Sequence, residues 1–259
     1  MLNVSIGMYL PGSTVIHRLD ARTKLLLTLA LIVAVFMIRS FWCYAVVALF
    51  LAAVIAASRV SPKLIWRSFK PMLFIVGLTF LINLFTAGGE GFKVTAAGVR
   101  TAVTMSLRLI YLVLASQIMT LTTSPLALTD GMESLLRPLK AIRFPAHEIA
   151  MMMSIALRFI PTLIDESGRI MMAQMSRGAD FESGNVFRRA KNMVPLLVPL
   201  FVSAFRRADD LAMAMEARCY HGGEGRTRMK QLKMTHLDLW AGLIGLAVLA
   251  VVVVDRYVL

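Results

Sequence analysis

Two short stretches of this 259-residue chain end in arginine in the same way, and they are its clearest candidates for binding chemistry. One reads Ala-Gln-Met-Ser-Arg-Gly at residues 173–178, and the other reads Ala-Met-Glu-Ala-Arg-Cys at residues 214–219. A small residue before each arginine leaves the planar guanidinium accessible, so that it can pair bidentately with a carboxylate. A single such arginine would be explained by its interaction with the helix dipole. Two matching copies in one chain, Arg177 and Arg218, favour two equivalent receptor sites, as on a dimeric partner.

The sequence carries no recognisable enzyme motif. It has no phosphate-binding loop of the Gly-x-x-x-x-Gly-Lys-(Ser/Thr) type, and His147-Glu148 is not followed by the second histidine of a zinc protease helix. The adjacent acidic pairs 165–166 and 209–210 do not converge, because neighbouring helix positions point apart. We therefore predict no catalytic, cofactor-binding or metal-ligating residues in this chain. The acidic pairs are interpreted as solvated faces or as partners of arginines. Arg158 either pairs with Glu166 or contacts lipid headgroups.

The composition is that of a membrane protein. Hydrophobic residues make up 58 % of the chain and charged residues 17 %, whereas a soluble domain has roughly 25 % charged residues. A bilayer span requires about 20 apolar residues, so a chain of this length has room for several. These values exclude a disordered chain and a disulfide scaffold, and they argue strongly against a soluble globular domain.

Five apolar segments predict transmembrane helices, at residues 25–37, 41–57, 71–85, 101–121 and 239–254. If these helices alternate in direction, 23 of the 28 Lys and Arg residues lie on one side of the membrane. The positive-inside rule then places the N-terminus and residues 122–237 in the cytoplasm. The net charge of +13 thus has a topological explanation, and no nucleic-acid partner is predicted.

Residues 122–237 interleave apolar and charged side chains at helical spacing. The pattern predicts a short amphipathic helix after Ser124-Pro125, a long one from about 146 to 178, and a second long one from about 186 to 220. In the last of these, alanine recurs every four residues, which would let another helix cross closely. The other interpretation is that alanine is simply a good helix former. The row consists of Ala204, Ala208 and Ala212.

Two further features have more than one interpretation. Arg108 lies within the fourth apolar segment, where an arginine is either functional or extends its charge toward the membrane surface. Twelve of the 18 methionines fall within residues 122–237, which suits either a surface for varied partners or filling between helices.

With these motifs the chain resembles the transmembrane T component of energy-coupling factor transporters, which are vitamin and metal-ion importers of the ATP-binding cassette type. The resemblance covers nearly the whole chain. It rests on the opening at residues 7–13 and 17–24, on Leu-Arg-Phe-Ile-Pro at 157–161, and on residues 224–228. The most specific match is to the family's two Ala-Arg-Gly motifs, here Ser176-Arg177-Gly178 and Ala217-Arg218-Cys219.

The resemblance implies an all-α integral membrane protein with about five transmembrane helices and three amphipathic coupling helices, the two long ones crossing. Residues 1–121 would form an N-terminal membrane domain, residues 122–237 a cytoplasmic coupling domain, and residues 238–259 a C-terminal transmembrane helix. The implied partners are two ABC ATPase subunits, a membrane-embedded substrate-binding S component (dedicated or shared) and the lipid bilayer. ATP and magnesium would be bound by the ATPases.

Two motif positions depart from the family pattern. Ser176 stands where alanine is usual, which is a small steric change, and Cys219 stands where glycine is usual. The second departure matters if the backbone there has a positive φ. Otherwise Cys219 is still helical, and Gly222 or Gly223 ends the helix. The main alternative function is a membrane-bound lipid-modifying enzyme with a cytoplasmic helical surface.

Overall fold

The computed structural model describes residues 9–86, 94–138, 144–181, 185–222 and 234–258, and within these ranges the regular structure is helical, without a strand. The helices are α1 Val15–Arg18, α2 Ala21–Met37, α3 Phe41–Ser58, α4 Pro62–Thr86, α5 Ala96–Thr122, α6 Pro125–Leu136, α7 Ala146–Ser176, α8 Val186–Ala217 and α9 His236–Val258. The all-α prediction is confirmed.

Five of these helices are long and apolar enough to cross a membrane: α3, α4, α5, α7 and α9. The predicted number of spans therefore agrees with the structure, although one member of the set differs. By length and composition α7 qualifies, whereas α2, at 17 residues, is one residue shorter than α3. At 1.5 Å per residue, α2 measures about 25 Å along its axis.

The short amphipathic helix begins where its sequence predicts. Pro125 is its first residue, and the Ser124 hydroxyl accepts a hydrogen bond from the Ala127 amide at 3.2 Å. Proline suits this position because the first helical amide has no partner within the helix. This helix packs on the start of α2, where Gly131 lies against Ala21.

The chain divides into two compact units, one formed by α1–α6 and α9 and the other by α7 and α8. In this division α6 groups with α1–α5 and α9. The predicted organisation, with boundaries at residues 122 and 238, stays a prediction. The core of the first unit lies between α2, α3, α5 and α9, around Val35, Val47 and Val252. Within this core the Tyr111 hydroxyl donates to the Tyr44 carbonyl at 3.0 Å.

Polar contacts join one end of α2 to α5 and α9. The Lys24 ammonium donates to the Thr122 carbonyl at 2.9 Å, in the last turn of α5, where carbonyls lack helical partners. The Asp20 amide donates to the Asp238 carboxylate at 2.8 Å. Asp20, Lys24 and Asp238 are all buried. The contact between Asp20 and Asp238 connects segments that are far apart in the sequence.

The segment before α2 lies across the ends of α3 and α5. The Leu10 amide donates to the Leu121 carbonyl at 3.0 Å, and the Thr14 hydroxyl lies 3.3 Å from the Ser58 carbonyl. His17 braces the segment, because its Nδ1 lies 2.6 Å from the Thr14 hydroxyl and its Nε2 lies 3.2 Å from the Leu10 carbonyl. The part of the opening motif that the structure describes thus fixes this segment against α3 and α5, and residues 7 and 8 lie outside the described residues.

Candidate functional site

The first arginine motif closes α7 with a Schellman turn. The Gly178 amide donates to the Met175 carbonyl and the Ala179 amide to the Gln174 carbonyl, both at 3.0 Å. This pair of bonds requires a left-handed residue just after the C-cap. Gly178 supplies it with φ +86, and Arg177 occupies the C-cap.

The second motif closes α8 in the same way. The Cys219 amide donates to the Glu216 carbonyl at 2.8 Å, and the Tyr220 amide donates to the Met215 carbonyl at 3.0 Å. Cys219 is left-handed, with φ +57. The interpretation in which Cys219 remains helical and a later glycine ends the helix is therefore wrong. Arg218 occupies the position that Arg177 occupies in α7.

Both motif arginines are exposed, and in the described part of the chain neither guanidinium takes part in a hydrogen bond or an ion pair. The preceding residues leave them accessible. The Ser176 hydroxyl turns back to donate to the Met172 carbonyl of its own helix at 3.0 Å, and Ala217 has only a methyl group. Each helix end therefore presents a planar set of guanidinium donors to solvent.

A polar joint connects α7 and α8. Glu166 of α7 accepts from the Arg207 guanidinium at 2.8 Å through one carboxylate oxygen, and from the Ser203 hydroxyl at 2.5 Å through the other. The partner of Glu166 is thus Arg207, whereas the sequence suggested Arg158. A second contact lies near the first motif, where the Asn192 side chain donates to the Asp180 carbonyl at 2.6 Å.

The alanine row of α8 lies beside this joint. Ala204 is half-buried, whereas Ala208 and Ala212 are exposed. The side chains that bond to α7 are Ser203 and Arg207, each one position before an alanine of the row. A role of the row in a close helix crossing stays a prediction.

An open groove of about 390 Å³ borders the joint. It is lined by Thr162, Asp165, Glu166, Arg169, Ile170, Ala173 and Arg207. Its charged side chains are two carboxylates and two guanidiniums, of which Glu166 and Arg207 pair with each other. Over the residues that the structure describes, no three His, Cys, Asp or Glu side chains form a group that could hold a metal ion.

Arg108 has a contact that the sequence did not suggest. Its guanidinium donates to the Phe36 carbonyl at 3.4 Å and lies 5.4 Å from the centre of the Phe36 ring. Phe36 lies in the last turn of α2, whose carbonyls need donors from outside the helix. Arg108 therefore closes the end of α2 and holds it against α5.

Comparison with known proteins gives a consistent result. A sequence model of the family described as CbiQ, cobalt transport protein, matches residues 12–229. An energy-coupling factor transporter transmembrane protein EcfT from Thermosediminibacter oceani is 55 % identical over 257 residues, covering 97 % of each chain. The EcfT of Ruminiclostridium cellulolyticum is 48 % identical over 99 % of this chain and 98 % of its own. The EcfT of Bacillus subtilis is 48 % identical over 92 % of each chain.

Proposed function

This chain belongs to the family of energy-coupling factor transporter transmembrane proteins, and we propose that it couples two ATPase subunits to a substrate-binding S component. As a member of that family it is a non-catalytic, multi-pass subunit of a transporter in the cell membrane.

The observation that carries the proposal is the equivalence of the two helix ends. Arg177 and Arg218 occupy the C-cap of two matching Schellman turns, and both are exposed. Two equivalent arginines at two equivalent helix ends suit a receptor that presents the same acidic groove twice. A dimer of ATPases has this property, because a two-fold axis repeats each surface patch.

In the proposed complex, each guanidinium enters an ATPase groove and pairs with a carboxylate there. A bidentate pair fixes both the position and the direction of the helix end, which a single lysine charge would not do. ATP and magnesium bind to the ATPases, and their hydrolysis moves the two grooves. Because α7 and α8 are joined through Glu166, motion at either groove reaches both helices.

The S component would receive this motion in the membrane and release its substrate on the cytoplasmic side. We propose vitamin or micronutrient uptake, with substrate choice residing in the S component. Because α7 is a span candidate by length and composition only and bonds to α8 through Glu166, we treat it as part of the cytoplasmic unit. The side of the membrane then follows from charge, since residues 122–237 hold 16 of the 28 Lys and Arg residues. The positive-inside rule assigns these residues and the N-terminus to the cytoplasm, where ATP is available.

Affinity purification of this chain from its native membranes in mild detergent, followed by mass spectrometry, tests the proposal. The expected result is two ABC ATPases and one or more small membrane proteins, whose number separates a dedicated from a shared S component. A chain that purifies alone after gentle cross-linking would contradict the proposal and favour the lipid-modifying enzyme. Because detergent can strip partners, nanodiscs formed directly from the membrane serve as the second preparation.

A further inference from the structure

The joint between α7 and α8 shares the spacing of the arginine motifs. The interval from Glu166 to Arg177 along α7 is the same as the interval from Arg207 to Arg218 along α8. The interval in the sequence from Glu166 to Arg207 therefore equals the interval from Arg177 to Arg218. If α7 and α8 are two copies of one unit, Glu166 and Arg207 occupy the same position in each copy.

Equivalent positions of two copies touch only close to the axis that relates the copies. The Glu166 carboxylate and the Arg207 guanidinium are 2.8 Å apart, so such an axis passes near this ion pair. The neighbouring contacts agree with it. Ser203 bonds to Glu166, and its equivalent at the same offset is Thr162, which lines the same groove as Arg207.

We propose that Glu166 and Arg207 are positioning residues, which lie on a local two-fold axis of α7 and α8 and fix the distance between Arg177 and Arg218. The interval from the pair to each motif arginine is about three helical turns, so each arginine lies about 16 Å along its helix from the pair and on nearly the same face. The pair thus sits midway between the two docking ends.

The identity of the two residues follows from this placement. Two equal charges on an axis would repel one another, whereas a carboxylate and a guanidinium attract. Ser203 occupies the remaining carboxylate oxygen of Glu166, which limits the freedom of the pair. If the two charges were exchanged, a carboxylate at residue 207 would lie beside Thr162, just as the Glu166 carboxylate now lies beside Ser203.

The functional consequence rests on the proposed docking of both arginines to ATPases. A fixed distance lets the second arginine bind at a high effective concentration once the first has bound. Loss of the Glu166–Arg207 pair should leave the contact between each motif arginine and its ATPase intact. It should weaken simultaneous binding through both arginines by about 100-fold. Binding of one ATPase through one motif should change little.

The distance itself can be measured without any partner. The full-length chain in nanodiscs, with Cys43→Ala and Ala179→Cys, carries spin labels at residue 179 and at the native Cys219. Pulsed electron–electron double resonance should give one narrow distance. Glu166→Gln and Arg207→Gln should each lose that single distance, and the exchange Glu166→Arg with Arg207→Glu should restore it. The adjacent changes Asp165→Asn and Arg206→Gln are the matched controls and should leave it unchanged.

Narrow distances in both glutamine variants, or an exchange variant as broad as they are, would overturn the inference. A general loss of folding is recognised because the exchange would not repair it. The proposed function fails separately, if the wild-type chain shows the single distance but binds no ATPase.

Discussion

Gly178 and Cys219 take the same left-handed backbone conformation, with φ of +86 and +57, at equivalent ends of α7 and α8. Both positions support the same pair of Schellman hydrogen bonds. Glycine adopts this conformation without strain, whereas a residue with a Cβ meets the neighbouring carbonyl oxygen. The second motif therefore keeps the geometry of the first at a conformational cost.

Replacement of that cysteine should stabilise the second helix end. Cys219→Gly removes the left-handed strain but increases the freedom of the unfolded chain, so we expect a net gain of about 1 kcal/mol. Hydrogen exchange of the peptide containing the Tyr220 amide reports on it directly, because that amide bonds to Met215. Exchange should slow in the variant.

Gly178→Cys is the matched control. A Cβ at this position would meet no atom within 4 Å, so only the backbone strain changes. Exchange of the Ala179 amide should then become faster. Equal exchange in wild type and both variants would show that the left-handed conformation is not strained in solution.

The contacts of His17 with Thr14 and Leu10 should weaken in acid. Burial, and to a smaller extent the charge of Lys24, lowers the pKa of His17 below 6.5. At His17 the folded chain thus binds fewer protons than the unfolded chain. The stability that the neutral imidazole contributes to the fold is therefore complete above pH 6.5 and is lost as pH falls through the lowered pKa. We expect faster exchange of the Leu10 amide at about pH 5.5 than at about pH 7.5, after correction for intrinsic rates.

His17→Gln should make that exchange independent of pH over the same range. His221, which is exposed, serves as the control position, and His221→Gln should behave as wild type does. A pH response that persists in His17→Gln would assign the effect to another group.

The α4–α5 pair depends on one close approach. A Cβ added at Gly98 would lie 2.7 Å from the Leu84 carbonyl oxygen, so the two helix backbones would have to move apart. We expect Gly98→Ala to destabilise the protein by about 1–3 kcal/mol. Thermal unfolding in detergent measures the change.

Gly77→Ala tests whether the effect comes from contact. A Cβ at Gly77 would meet nothing within 4 Å, and alanine is the better helix former. This variant should be as stable as wild type or slightly more stable. If both alanine variants lose equal stability, the close approach of α4 and α5 is not the cause.

The sequence predicts the helices well, because apolar runs and amphipathic periods are local properties. The start of α6 at Pro125 and the matching ends of α7 and α8 follow from a few adjacent residues. α2 is only one residue shorter than the span candidate α3, and an apolar run does not define the residue at which its helix ends.

Contacts between distant segments were harder to predict. The hydrogen bond from Arg108 to the Phe36 carbonyl joins α5 to α2, which are far apart in the sequence, and no local pattern in either helix predicts it. The Glu166–Arg207 pair was missed for a different reason. Its spacing repeats that of the motif arginines, but Asp165 and Arg206 have the same spacing, so the offset alone does not single out the pair that makes contact.

Arg177 and Arg218 are proposed to bind the ATPases, and reversing their charges tests this directly. Charge reversal at both, Arg177→Glu with Arg218→Glu, would set carboxylate against carboxylate in each groove. If each partner carboxylate is buried, the loss is about 3–5 kcal/mol per site. The control reverses two exposed arginines of α8, Arg189→Glu with Arg206→Glu, for the same change in net charge.

The deciding measurement is the amount of ATPase that co-purifies with each variant from membranes containing equal amounts of the chain. We expect the motif variant to insert normally and to retain no ATPase, while the control variant retains the wild-type amount. Wild-type amounts of ATPase on the motif variant would contradict it.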